Sequence, residues 1–142
     1  MSLDVPEGFT PHFKQSRVTD PWEPIYSRIL PAAVQVGVLL REDHCNSRGF
    51  VHGGVIATLA DNAMGLSYWQ AAKATAATGP VRARGAVTVS LNIDYAATAN
   101  LGQWLQVEPR VVRAGRSMGF VDALITADGA TIARASATFR VS

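Results

Sequence analysis

The chain has 142 residues, 48% hydrophobic and 17% charged, a composition that fits one soluble domain with enough apolar side chains for a core and argues against two. Its net charge of +2, with the positive charge carried nearly all by arginine, is too mild for a nucleic-acid binder. The sole cysteine, Cys45, excludes an intrachain disulfide, and no stretch reaches membrane-spanning length.

Residues 1–22 mix Pro, Gly, His and charges without a helical or strand period and read as an irregular arm, packed on the surface as padding or disordered, leaving 23–142 as the single domain. The start lacks the basic residues and apolar run of a signal peptide, so a cytoplasmic protein is expected. Strands are predicted over 25–30 and 33–41, flanking Pro31 and Ala32, followed by a polar loop over 41–49. A helix is predicted from about Gly53 to about Ala74, stopping before Gly79-Pro80. The period then changes to two: Val87, Val89, Leu91, Ile93 and Tyr95 alternate with Thr88, Ser90, Asn92 and Asp94, as in a strand with one apolar and one polar face. Strands over 103–113 and 118–127 flank a turn at 114–117, and Asp128-Gly129 is a hairpin signal into a strand over 131–141. The sum is an α+β arrangement of about six antiparallel strands with one long helix on a face of the sheet. From Val55 to Leu66 only Thr58, Asp61 and Asn62 are neither apolar nor glycine, so the helix should be buried on most sides. One sheet cannot cover it, and a second copy of the chain, in a homodimer or larger homo-oligomer, is expected to supply the missing surface.

Asp61 is the residue that this helix does not explain, because burying an unpaired polar group costs about 2–7 kcal/mol. Small residues around it leave room for a ligand. No Ser, Thr, Asp or Asn precedes Gly53 to accept the first-turn amides, so the helix start reads as uncapped, with its N–H groups and dipole free to stabilise an oxygen that becomes negative during reaction. A buried Asp61 with a raised pKa would be a better base. Cys45 reads as a small buried hydrophobe, and His12 and His44 receive no functional role. No spacing among the His and Cys residues suggests a metal site.

The run Asn46-x-x-Gly49-x-x-His52-Gly53-Gly54-x-x-x-x-Leu59-x-Asp61 resembles the hot-dog-fold acyl-CoA thioesterases of the phenylacetate-degradation, PaaI-like, type. The resemblance extends over residues 25–142, including the 87–95 strand and Gly115-Arg116-Ser117. It implies a hot-dog fold, a long central helix wrapped by an antiparallel sheet, paired as a dimer or a dimer of dimers with active sites at the subunit interface. It further implies an acyl-CoA or aryl-CoA substrate, with coenzyme A part of that substrate and no separate cofactor or metal, and no nucleic-acid or membrane partner. By the same resemblance Asp61 is the general base or the nucleophile, the Gly53 N–H polarises the thioester carbonyl, and Asn46 and His52 join Asp61 from the other subunit. Thr88 falls where relatives carry a hydroxyl that helps hold water, Gly54 falls in the substrate-binding turn, and Arg113, Arg116 and Ser117 fall near the nucleotide end of coenzyme A. Two rival readings are an acyl-thioester hydratase or dehydratase, whose usual His and Glu pattern is missing, and a non-catalytic acyl-CoA-binding module, which would have no use for a buried acid.

Overall fold

The structure is a computed structural model that describes residues 5–75 and 85–141. The predicted helix stop at Gly79-Pro80 lies outside the described residues. Seven strands, β1 (Thr10–Pro11), β2 (Tyr26–Leu30), β3 (Ala33–Leu39), β4 (Ala86–Tyr95), β5 (Trp104–Ala114), β6 (Met118–Ala127) and β7 (Ala130–Val141), form one antiparallel sheet in the order β1-β2-β3-β5-β6-β7-β4. The helix α1 (Gly53–Thr75) lies across it. The seventh strand comes from the arm: Thr10 and Pro11 pair with Ser27 and Tyr26, so part of the segment read as irregular extends the sheet.

Helix and sheet meet along a stripe of spacing three and four, in which Val55, Ile56, Leu59, Ala60, Ala63, Met64, Ser67 and Tyr68 are all buried. The sheet answers with small side chains. Ala133, Ala135 and Ala137 of β7 lie opposite Ile125, Ala123 and Val121 of β6, and all six are buried. At Gly119 the approach is closest: the Tyr68 ring lies where a Cβ would stand and stacks on Phe139 with ring centroids 5.9 Å apart.

The rest of α1 is the side for which a second copy is expected as cover, and within one chain it is only half-buried. Asp61 and Asn62 flank the buried stripe and are half-buried, together with Gly65, Leu66, Trp69 and Gln70. Some of this side is covered by the chain itself, since the arm residue His12 donates from Nε2 to Asn62 Oδ1 at 3.1 Å.

Strand β4 departs from strict alternation. Its pairing with β7 slips between Thr88 and Ser90, leaving Val89 as the extra residue of a β-bulge. Thr88, Leu91, Ile93 and Tyr95 pair with Phe139, Ala137, Ala135 and Ala133, all buried beneath the helix, while Val87 pairs with the exposed Arg140. The single apolar face expected for Val87 through Tyr95 is therefore not formed. Thr88 crosses to the helix side, and Val87 and Val89 are displaced from it.

Candidate active site

The start of α1 is built on a buried histidine in the preceding loop. His44 is 1% exposed; its Nδ1 accepts from the Arg41 N–H at 3.0 Å, its Nε2 donates to the Trp22 carbonyl at 3.0 Å, and its own carbonyl receives the His52 N–H at 2.9 Å. Burial, which penalises the imidazolium, is the main cause that holds its pKa below the ordinary value, helped by the nearby positive Arg41 and opposed by the hydrogen bond to Trp22. Next in the loop, Asn46 Oδ1 accepts from the N–H groups of Arg48 at 2.9 Å and Phe50 at 3.2 Å, closing the turn that leads to His52. Cys45 is half-buried beside this turn, and burial followed by the charge of Glu42 pushes its thiol up, which does not favour a nucleophilic thiolate.

The helix is not uncapped. His52 takes the place of the expected Ser, Thr, Asp or Asn: its Nδ1 accepts from the Gly54 N–H at 2.8 Å, and its carbonyl accepts from Val55 and Ile56. A neutral imidazole has one acceptor nitrogen, which makes a histidine able to cap. The Gly54 amide is thus occupied, whereas the Gly53 N–H is engaged by no described residue. From β4, the Tyr95 hydroxyl donates to the Gly53 carbonyl at 2.6 Å, and its ring lies 3.3 Å from where a Cβ of residue 53 would stand.

Two turns further on, the Thr88 hydroxyl donates to Asp61 Oδ1 at 2.7 Å. The bulge at Val89 is what lets a residue of the polar alternation reach the helix. This pair borders a cavity of about 260 Å³ whose walls include Phe139, Gly65, Leu66, Trp69 and, from the arm, Lys14. Asn62 also lines it, with Oδ1 committed to His12, so that its N–H donors are what it can offer a ligand. Half-buried rather than enclosed, Asp61 is one of the residues that line this cavity.

The structure therefore brings Asp61 and Thr88 together, and His52, Gly53 and Gly54 together, as two separate clusters. No described hydrogen bond joins Asn46 or His52 to Asp61. Arg113, Arg116 and Ser117 form a third group at the β5–β6 turn, all exposed. A larger open basin of about 530 Å³ lies on the opposite face of the sheet, among Asp94, Glu108, Arg110, Asp122 and Arg134; Asp94 and Arg134 are already ion-paired, and none of the predicted site residues lines it.

Residues 48–133, well over half of the chain, match the model of the thioesterase superfamily. A Pseudomonas aeruginosa protein named as an esterase is 38% identical over 141 residues, covering 98% of both chains. The chain belongs to the thioesterase superfamily. Human acyl-coenzyme A thioesterase 13 is 32% identical over 108 residues, which span 73% of this chain and 69% of the human protein. Among solved structures, smu.793 from Streptococcus mutans, bound to acetyl CoA, aligns with a TM-score of 0.66 at 29% identity over 78% of this chain and 82% of its own. The phenylacetic acid degradation protein PaaI of Thermus thermophilus aligns with a TM-score of 0.69 at 23% identity over 83% and 93%, a likeness of fold. The fold is the hot-dog fold of the PaaI-like type, and the enzyme class read from the motif, a hydrolase of thioester bonds, is that of the superfamily.

Within this thioesterase the sequence reading missed four residues at the site: His12, Lys14, Asn62 and Tyr95. Asn62 carried a signal, being the second polar residue of an apolar helix and adjacent to Asp61. Tyr95 ends the alternating strand, where its ring fits the apolar set and hides the role of its hydroxyl. Nothing periodic marked His12 or Lys14, because the arm reaches the helix through single side chains.

Proposed function

We propose that the protein hydrolyses acyl-coenzyme A thioesters, with Asp61 as general base or nucleophile. The observation that carries this reading is the Asp61–Thr88 pair, 2.7 Å between oxygens, at the wall of a cavity large enough for an acyl group. With Asp61 as base, it takes a proton from water while the water oxygen bonds to the thioester carbon; the C–S bond then breaks, and the thiolate of coenzyme A recovers a proton. With Asp61 as nucleophile, its oxygen bonds first to the carbon, the thiolate leaves, and water cleaves the resulting anhydride. In both routes the carbonyl oxygen gains negative charge, which an amide donor at a helix start stabilises. The unengaged Gly53 N–H is that donor.

Gly53 and Asp61 are eight residues apart, about 12 Å along one helix at 1.5 Å per residue, so both from one copy would not reach the same carbonyl group. A site built from Gly53 of one chain and Asp61 of another removes the difficulty. An edge that could bring two copies together is β4, which among the described residues pairs only with β7 and which exposes Val87, Val89 and Leu91. In such a homodimer, or dimer of dimers, Asn46 and His52 accompany Gly53 in holding the thioester, Gly54 shapes the turn, and Arg113, Arg116 and Ser117 receive the nucleotide. The acetyl CoA bound by the Streptococcus mutans relative and the name of the human relative support coenzyme A as the carrier.

Coenzyme A enters only as part of the substrate in this scheme, with no separate cofactor. No helix among the described residues is long and apolar enough to cross a membrane, in keeping with a cytoplasmic site of action. The test is thiol release from a panel of acyl- and aryl-CoA esters, with Asp61→Asn purified in parallel. Activity in the wild type and a loss of at least about a hundredfold in kcat are expected, with the fold retained. Equal rates for the two proteins would overturn the mechanism.

A further inference from the structure

After β1, the arm turns from the sheet edge onto the outer side of α1. His12, 7% exposed, anchors it to Asn62, and Phe13 and Lys14 follow. These two neighbours lie at different cavities. Lys14 borders the cavity of Asp61, while Phe13 borders a second one of about 390 Å³, walled also by Ile29, Val34 and the side chain of Lys73. Leu66 and Trp69 are common walls of both.

We propose that this second cavity, roofed by the arm, receives the far end of the acyl group, and that Phe13 and Ile29 make the enzyme selective for acyl groups with an extended apolar tail. The inference rests on the thioesterase reading and goes beyond it by naming the class of acyl group. Leu66 and Trp69 lie five and eight residues beyond Asp61, about 8 and 12 Å along the helix, so a chain held at Asp61 by its thioester carbon reaches them only if it extends well past a few carbons. What it meets beyond them is Phe13, Ile29 and Val34, with Gln70 and Lys73 at the side of the cavity. Phe13 is 54% exposed and Ile29 63%, two exposed large hydrophobic side chains at a groove that shares the walls Leu66 and Trp69 with the cavity of Asp61. A short acyl group would end before Trp69 and leave both side chains in water; a medium-length one would cover them.

Thiol release from acetyl-, hexanoyl- and decanoyl-CoA by wild type, Phe13→Ser and Ile29→Thr tests this. Both residues are exposed and outside the reacting centre, and Ile29→Thr keeps a β-branched residue in its strand. Wild type is expected to favour decanoyl- over acetyl-CoA by at least about tenfold in kcat/KM, and each variant to lose about fivefold or more on decanoyl-CoA while acetyl-CoA is unaffected. Unchanged profiles, or equal losses on acetyl- and decanoyl-CoA, overturn the proposal while leaving thioester hydrolysis standing. Should wild type release thiol from none of these esters, calorimetric titration with the S-decyl thioether of coenzyme A separates the two readings. Tighter binding than coenzyme A alone, weakened in Ile29→Thr, upholds the groove without hydrolysis; no difference between the two ligands overturns the groove as well.

Discussion

A carboxylate that takes a proton from water works only if its lone pairs are aimed, and at Asp61 one oxygen is held by the Thr88 hydroxyl at 2.7 Å. Thr88→Val removes that donor while keeping the shape of the side chain, and is expected to lower kcat about tenfold with KM little changed, whereas Thr88→Ser keeps most of the activity. A KM effect of the same size as the kcat effect would mean that Thr88 binds substrate instead. Asp61 itself was legible because a lone acid between apolar turns has no structural use. Its hydroxyl partner could be named from the resemblance alone, since strict alternation puts Thr88 on the face away from the helix. Two other residues set a pH dependence that no motif announced. Burial lowers the pKa of His12 and of His44 from 6.5, the value at which the unfolded chain takes up these protons. For His12 the hydrogen bond to Asn62 and the charge of Glu23 oppose that shift without cancelling it. Below pH 6.5 the unfolded state therefore binds more protons than the folded one, so stability is fully present above 6.5 and is lost as pH falls through the depressed folded values. The urea midpoint is expected to fall from pH 7.5 to pH 5.5; a midpoint that holds or rises over that interval would contradict the assignment.

At the scale of elements, the helix and strands were legible to within a few residues because long periodic runs state their own burial. Two of the failures are at places where a single residue departs from the expected pattern. A bulge adds Val89 without a Gly or Pro to mark it, and a histidine caps the helix in a position where sequence preference looks for a small oxygen-bearing side chain. The arm strand is only two residues long, too short for any alternation to show. One element contact has a sharp consequence. Gly119 of β6 lies under the Tyr68 ring, and its missing Cβ would also stand 3.0 Å from the Arg113 carbonyl oxygen, so a methyl group has neither room nor a soft neighbour on the backbone side. Gly119→Ala is expected to destabilise the fold by about 1–3 kcal/mol, read from the urea midpoint at constant slope, because Tyr68 is pressed between this strand and Phe139. Retained stability would mean that the Tyr68 ring shifts without cost, and the tight helix-to-sheet seam would then not depend on a glycine.

For the whole molecule, the separation of the two clusters along α1 matters most, because it converts oligomerisation from a packing question into a catalytic one. If each active site takes Asp61 from one chain and the Gly53 N–H from the other, two inactive variants can restore each other. Asp61→Asn removes the carboxylate. Gly53→Pro removes the amide donor at the first helical residue, where proline's fixed φ suits the helix, the missing N–H breaks no helical bond, and the added Cβ stands 3.3 Å from the Tyr95 ring, a contact relieved by a small shift of that side chain. In a mixed dimer one site inherits both changes and the other neither. Co-refolding equal amounts, with random pairing, makes half of the dimers mixed and leaves one intact site in each, so about a quarter of the wild-type activity per chain is expected from two nearly inactive proteins. A site contained in one chain gives no recovery, since every chain in the mixture carries a defect. Light scattering of each variant and of the mixture checks that all remain assembled. Assembled mixed dimers without recovered thiol release would refute the shared site.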